Sequence, residues 1–315
     1  MNLSALAASV RDHPGLRGKR ELAAVAATLG GDGDDAAVIP DGDGNLVMAA
    51  EAIFPPFVAA QPRAAGIAGV VTVLNDLAAT GARPIALLDC LVAATGEVAG
   101  EILEGLRIGA ALYGVPVVGG HATIEGSAGP GLSTFAAGRA RAPLAARNAR
   151  VGDAVSLAVC LEGEMVSGPE GSFFSHLRGP RRDRAAADLA LLADAAEAGE
   201  AWAARDVSMP GVAGSLLQFC ESAGGLGCAL EVEALPVPDG VPLGDWLLAF
   251  PSYAFLLAGD PQALAERFGA AGLTLARLGT LDDSGVLRLR AAGREEEVWD
   301  LSRQDLTGLR PPAAP

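Results

Sequence analysis

Basic residues are scarce in this chain: 23 Lys and Arg stand against 38 Asp and Glu, a formal net charge of −15 and a pI near 4.6. A surface so acidic repels nucleic acid and anionic lipid, so neither a nucleic-acid partner nor membrane association is expected. Cysteine is equally sparse. Cys90, Cys160, Cys220 and Cys228 are scattered through apolar segments without a CxxC pair. That argues against a zinc site or a disulfide framework and reads as buried free thiols in a reducing cytosol. The three histidines, His13, His121 and His176, lack metal-ligand spacing. No run of 18 uninterrupted apolar residues exists that would span a bilayer. Met1–Val10 has neither a basic lead nor a long apolar core, so no secretory signal is expected and the protein reads as soluble and cytoplasmic. No repeat with a period of 20–50 residues is visible.

What the chain does have is apolar mass. Half of its 315 residues are hydrophobic and 19% are charged, which suits a globular chain with room for two domains. Periodicity predicts a helix over Leu16–Leu29 stopped by Gly30-Gly31, then strands at Ala36–Ile39 and Leu46–Ala50 joined by Asp41-Gly42-Asp43-Gly44. A long helix follows over Pro62–Thr80, then a buried strand at Ile85–Ala93, a helix at Val98–Tyr113, and strands at Val115–Val118 and Leu132–Gly138. Near Ala149–Gly152 the pattern restarts. Strands are expected at Ala154–Cys160, Cys228–Val232, Ala254–Ala258 and Leu273–Leu278, and helices at Ala185–Ala198, Val212–Ser222 and Ala263–Phe268. Between them lies an irregular loop carrying Arg178, Arg181, Arg182 and Arg184, and the tail Pro311–Pro315 reads as disordered. Strands alternating with helices indicate an α/β or α+β sandwich, divided as 1–150 and 151–315.

Residues 31–38, Gly31-Asp32-Gly33-Asp34-Asp35-Ala36-Ala37-Val38, are the most informative stretch. Acids crowded into a glycine-loosened turn repel one another, and a divalent cation or a metal–phosphate removes that penalty. Mg²⁺ takes a few carboxylates and leaves its other positions to water and phosphate oxygens. A calcium loop is disfavoured because no twelve-residue loop ending in Glu follows. A solvated acidic turn is the alternative.

Other acids could converge on it. Glu51 ends the second strand and approaches Asp35 if the two strands pair; otherwise it is a solvated strand end. Asn75-Asp76 sits inside the long helix among Val71, Leu74, Leu77 and Ala78, where a buried carboxylate must find a cation or a metal, Arg83 being the plain alternative. Gly119-Gly120-His121 follows an apolar strand, where backbone N–H groups can approach a phosphate or simply make a tight turn. Asp206-Val207-Ser208 precedes the helix at Val212, as a cap or as a metal–phosphate site. Lys19 lies in a basic patch, Gly15-Leu16-Arg17-Gly18-Lys19-Arg20, that could fold over phosphates or merely begin a helix.

In order and spacing, Asp34-Asp35-Ala36-Ala37-Val38, Leu74-Asn75-Asp76-Leu77-Ala78-Ala79-Thr80-Gly81-Ala82-Arg83-Pro84, Gly114-Val115-Pro116-Val117-Val118-Gly119-Gly120-His121 and Asp206 resemble one ATP-binding superfamily. It is that of aminoimidazole ribonucleotide (AIR) synthetase, thiamine-monophosphate kinase, selenophosphate synthetase and the hydrogenase-maturation carbamoyl dehydratase. The chain is most similar to its AIR synthase-related members. The resemblance implies two α/β domains, with amino-terminal domains pairing into a β-barrel across a homodimer. It implies ATP as co-substrate on Mg²⁺, with Asp35, Glu51, Asp76 and Asp206 as metal ligands and Asp34 assisting. Asn75, Gly119, Gly120, His121 and Ser208 would contact the nucleotide; Lys19 and His121 are the candidate catalytic groups.

The chain departs from the superfamily at four points. Ala49-Ala50-Glu51 replaces a Thr/Ser-x-Asp, and Pro210 deletes a backbone donor. No Cys precedes Cys90, which argues against selenophosphate chemistry in its usual form. Gly-Gly-His replaces the Gly-Gly-Asp of thiamine-monophosphate kinase. The expected function is Mg²⁺-dependent phosphoryl transfer to, or ATP-driven activation of, an unknown small-molecule acceptor; a non-catalytic nucleotide-binding regulator or scaffold, and a metal-free protein, are the alternatives.

Overall fold

In a computed structural model of the chain, residues 2–29, 33–127, 129–168 and 171–310 are described. The expected stop at Gly30-Gly31, Asp32, and the tail Pro311–Pro315 lie outside them. The first half runs α1 (Leu3–Arg11), α2 (Pro14–Arg20), α3 (Ala23–Leu29), β1 (Ala37–Asp41), β2 (Gly44–Ile53), α4 (Pro55–Ala60), α5 (Pro62–Ala79), β3 (Arg83–Ala93), α6 (Gly96–Tyr113), β4 (Val117–Ile124) and β5 (Gly131–Ala140). The second half runs β6 (Ala154–Val159), β7 (Glu164–Gly168), β8 (Gly171–Ser175), α7 (Ala185–Glu197), β9 (Ala201–Asp206), α8 (Gly211–Ser222), β10 (Gly227–Glu231), α9 (Leu243–Leu248), β11 (Phe250–Pro251), β12 (Ala254–Gly259), α10 (Pro261–Ala270), β13 (Thr274–Asp282), β14 (Val286–Ala291) and β15 (Arg294–Asp300).

The result is a mixed α/β fold. A five-stranded sheet in the order β1-β2-β5-β3-β4 uses strands before residue 141, and a seven-stranded sheet in the order β15-β14-β10-β13-β6-β12-β9 uses strands after residue 153. The first sheet is open, with β1 and β4 at its edges, so the described residues of one chain form no closed barrel. No described helix is long and apolar enough to cross a membrane.

Helix α5 packs against β2, β3 and β5 of the first sheet, against α6, and against β9 of the second sheet. Its sequence is apolar on every face, as burial from all sides demands. A Cβ at Gly66 would run into the Ile102 carbonyl, and one at Gly105 into the Arg63 carbonyl, so two glycines allow α5 and α6 to approach closely. Strands β6 and β12 of the second sheet are buried on both faces. Phe255 and Leu257 of β12 join the core around α5, whereas Ala254, Leu256 and Ala258 join a core with α8. That explains the uninterrupted apolar run in β12. Ala7 and Val10 of α1 belong to this second core, and Arg11 donates to the Glu297 carbonyl at 2.9 Å.

Three expectations change. The helix over Leu16–Leu29 is two helices, because the Glu21 and Leu22 N–H groups bond only three residues back, to Gly18 and Lys19, and tighten the chain into a turn. The loop after residue 163 contains the β7–β8 hairpin. Gly119-Gly120-His121 is not a turn after a strand but the middle of β4, paired in parallel with β3. Gly120 is needed there for a different reason: a Cβ would overlap the buried Asp89 carboxylate.

Candidate active site: a buried carboxylate cleft

The β1–β2 hairpin does form, with Ala37 opposite Met48 and Asp41 opposite Gly44. It holds the acidic turn and Glu51 on one wall of a cleft of about 350 Å³. Asp76, near the carboxy-terminal end of α5, supplies a second wall; Asp206, the last residue of β9, supplies a third. Contact between α5 and β9 is what joins them. Carboxylate oxygens of Asp35, Asp76 and Asp206 lie within 4.8 Å of one another, the one such cluster among the described residues.

Burial is the main electrostatic fact here. It raises the pKa of all three acids and of Glu51, because a desolvated carboxylate favours its neutral form. Mutual repulsion adds to this: the neighbouring negative charge of Asp35 helps bring Asp206 up to about 8. Asp76, facing Asp206, Glu51 and Asp35, is raised well above the usual range. Arg205 opposes the trend. Its guanidinium, in a side chain only 9% exposed, pairs with Asp35 at 3.1 Å and donates to the Gly33 carbonyl at 2.9 Å. Lys19 lines the same cleft and favours the charged form of Glu51. It is the single lysine of the sequence.

The sequence-derived residues divide. Asp34, Asp35, Glu51, Asp76, Asp206, Ser208 and Lys19 line the cleft. The carboxylate of Asp34 accepts the Ala146 N–H at 3.1 Å and lies outside the three-acid cluster. Ser208 donates its backbone N–H to Ser215 Oγ at 2.9 Å. Asn75 is buried, but its amide donates to the Ser252 carbonyl at 3.2 Å and it does not line the cleft. Gly119, Gly120 and His121 are exposed on the open edge strand, away from the cleft walls. Arg83, the plain alternative partner for Asp76, instead pairs with Asp194 and Glu197 at 2.6 and 3.1 Å.

Residues overlooked in the sequence complete the site. Arg205 carried a signal, a lone cation inside Ala201-Trp202-Ala203-Ala204-Arg205-Asp206 next to an acid. Glu221 of α8 carried none. Its buried carboxylate accepts N–H groups of Leu306, Thr307 and Gly308, clamping a carboxy-terminal segment whose Thr307 and Leu309 line the cleft.

The donor set fits a hard divalent cation: oxygen ligands only, desolvated, with more negative charge than Arg205 and Lys19 can balance. A mixed α/β protein with a buried polycarboxylate cleft is the class this geometry defines. Residues 33–140, from the acidic turn to the end of β5, match the family described as "AIR synthase related protein, N-terminal domain". An uncharacterised protein of Synechocystis is 32% identical over 294 residues, covering 88% of this chain and 86% of that protein. The chain therefore belongs to the AIR synthase-related family. Thiamine-monophosphate kinase of Archaeoglobus fulgidus is 33% identical over 126 residues, 38% of this chain and 41% of the kinase. T. maritima PurL, solved in complex with ADP, shares the fold with a TM-score of 0.73 at 20% identity, over 87% of this chain and 46% of that one. The chain thus spans about half the length of that PurL.

Proposed function

We propose that this protein is a Mg²⁺-dependent, ATP-using enzyme that transfers a phosphoryl group to, or activates, a small-molecule acceptor. The observation that carries the reading is the convergence of Asp35, Asp76 and Asp206 within 4.8 Å in a desolvated cleft. In this reading those three residues and Glu51 hold magnesium, with Asp34 fixing their turn. Bound there, the ion neutralises phosphate charge as a Lewis acid. Lys19 faces the phosphates from α2, Ser208 contacts the nucleotide, and Arg205 keeps Asp35 ionised and oriented. During phosphoryl transfer, an acceptor oxygen or nitrogen bonds to the γ-phosphorus as the bond to the β–γ bridging oxygen breaks. ADP keeps that electron pair, and the acceptor's proton passes to water.

Gly119, Gly120 and His121 enter this reading through a second copy, whereas Asn75 stays in the core, donating to the Ser252 carbonyl. The edge of β4 is open, and Val117, Val118 and Ile124 on it are exposed. Pairing of two such sheets into a barrel across a homodimer would cover that edge, with the chain divided near residue 150 and working in the cytoplasm. A second reading, a nucleotide-binding regulator without turnover, is favoured by Ala49 and Pro210, which replace a hydroxyl and a backbone donor.

Calorimetric titration with ATP, with and without Mg²⁺, followed by an ADP-formation assay, tests both. The expected result is Mg²⁺-dependent binding that the Asp35→Asn/Asp76→Asn double variant loses. Unchanged affinity in that variant would overturn the metal site; tight binding without ADP formation on any acceptor would favour the regulator.

A further inference from the structure

A second chamber, of about 290 Å³, abuts the carboxylate cleft. The two share Phe57, Ala68, Thr72, Phe173 and Phe250 as walls. Thr72 stands one helical turn before Asp76 on α5, so the chamber begins about 6 Å along the helix from the acids. Its volume is at the lower end of small-molecule pockets, and its lining is mainly apolar, as such pockets usually are.

Three phenylalanines from distant parts of the chain make the shared wall. Phe57 and Phe173 stack with centroids 6.1 Å apart and planes inclined by 15°, and Phe250 lies 5.9 Å from Phe173. Ile67, Val71 and Leu112 continue the apolar surface. Charge on the chamber is of the opposite sign to the protein's. With 38 acids and 23 bases in the sequence, the lining contains Arg178 and Arg182 but no Asp or Glu. Arg178 has only a 3.8 Å contact to Glu164, both side chains more than half exposed, and Arg182 has no carboxylate partner among the described residues. Such guanidinium groups remain available to a carboxylate or phosphate.

From this we infer that the chamber binds the acceptor, and that the acceptor is an organic anion with an apolar, aromatic-sized body. Its reactive end faces the shared wall and the carboxylates; its anionic end meets Arg178 and Arg182. The role as acceptor rests on the nucleotide reading of the cleft, whereas the ligand class is tested separately.

The probe is 2-naphthylacetate, compared with its neutral amide by calorimetry on the full chain. Saturable binding of the acid is expected, with the amide about tenfold weaker. The Arg178→Glu/Arg182→Glu variant should weaken the acid about tenfold and leave the amide unchanged. Ala64→Phe, which fills the chamber from α5, should weaken both ligands. Melting temperature and Mg²⁺·ATP affinity report whether each variant is folded, since none of the three residues lines the carboxylate cleft. Absence of saturable binding up to about 10 mM, equal affinity for acid and amide, or indifference to both variants would overturn the inference. Should Mg²⁺·ATP fail to bind while the acid behaves as described, the cleft reading falls and the ligand class stands.

Discussion

The backbone N–H of Asp206 donates to Oδ2 of Asp35 at 3.0 Å, across 171 residues of chain. The other oxygen of Asp35 meets Arg205, the residue before Asp206. One carboxylate is thus gripped by two consecutive residues of β9, which ties the acidic turn of the first sheet to the end of a strand in the second.

Removing that grip should be costly. Arg205→Met leaves Asp35 buried without its guanidinium, a loss on the order of 3–5 kcal/mol for a broken buried pair. Chemical denaturation in Mg²⁺-free buffer should show it, and saturating Mg²⁺ should restore part of it by supplying another cation. A change below about 1 kcal/mol would mean that Asp35 is not charged in the folded protein.

Asp76→Asn should have the opposite effect on the metal-free protein. Repulsion from Asp206, Glu51 and Asp35 together with burial disfavours the Asp76 carboxylate, so neutralising it should raise the melting temperature by a few degrees. Wild-type protein should gain about 2.7 kcal/mol at a Mg²⁺ concentration of about 100 times Kd. The variant should show little of that gain. Equal Mg²⁺ stabilisation in both proteins would remove Asp76 from the site.

His176 gives a pH dependence that can be isolated. Burial pushes its pKa down to about 4 from an ordinary 6.5, helped by Arg181, and Nδ1 lies 2.6 Å from Ser252 Oγ. Because the unfolded chain takes up this proton more readily, the contribution is present above pH 6.5 and is lost as pH falls towards 4. It amounts to about 3 kcal/mol. The raised carboxylates work in the reverse direction, so the measurement is the difference between wild type and His176→Gln across that range. A constant difference would show that the imidazole titrates normally.

Val118, 62% exposed on β4, tests the proposed homodimer. Val118→Lys puts a charge on the open edge, where lysine is a common device against strand pairing. Sedimentation should find the variant monomeric at concentrations where wild type is dimeric, with its melting temperature in the monomer's range. A dimer unaffected by the substitution would locate the contact elsewhere.

Much of the α/β alternation and three of the acids were legible because each breaks a local expectation. Asp76 interrupts an apolar helix, Asp35 stands in a turn crowded with acids, and Asp206 precedes a helix entrance beside a hydroxyl. Gly119-Gly120 misled because a glycine pair after an apolar run is ambiguous between a turn and a close approach. Only the tertiary position of Asp89 decides between them. Phe57, Phe173 and Phe250 share no periodicity, and α4, β8 and β11 have to assemble before they form one wall. Glu221 was invisible for the same reason, since its partners lie more than 80 residues away, at Leu306 and Thr307.

Lys19 is the only lysine in the sequence, and it borders the carboxylate cleft. Every other cationic side chain is arginine or histidine, neither of which forms a stable adduct with acylating reagents. Amide formation at side chains of the native protein is thereby confined to one amine, and a single substitution abolishes it. A fluorophore or isotopic tag attached there would sit at the rim of the cleft, converting occupancy into an optical or mass-spectrometric signal without any engineered cysteine.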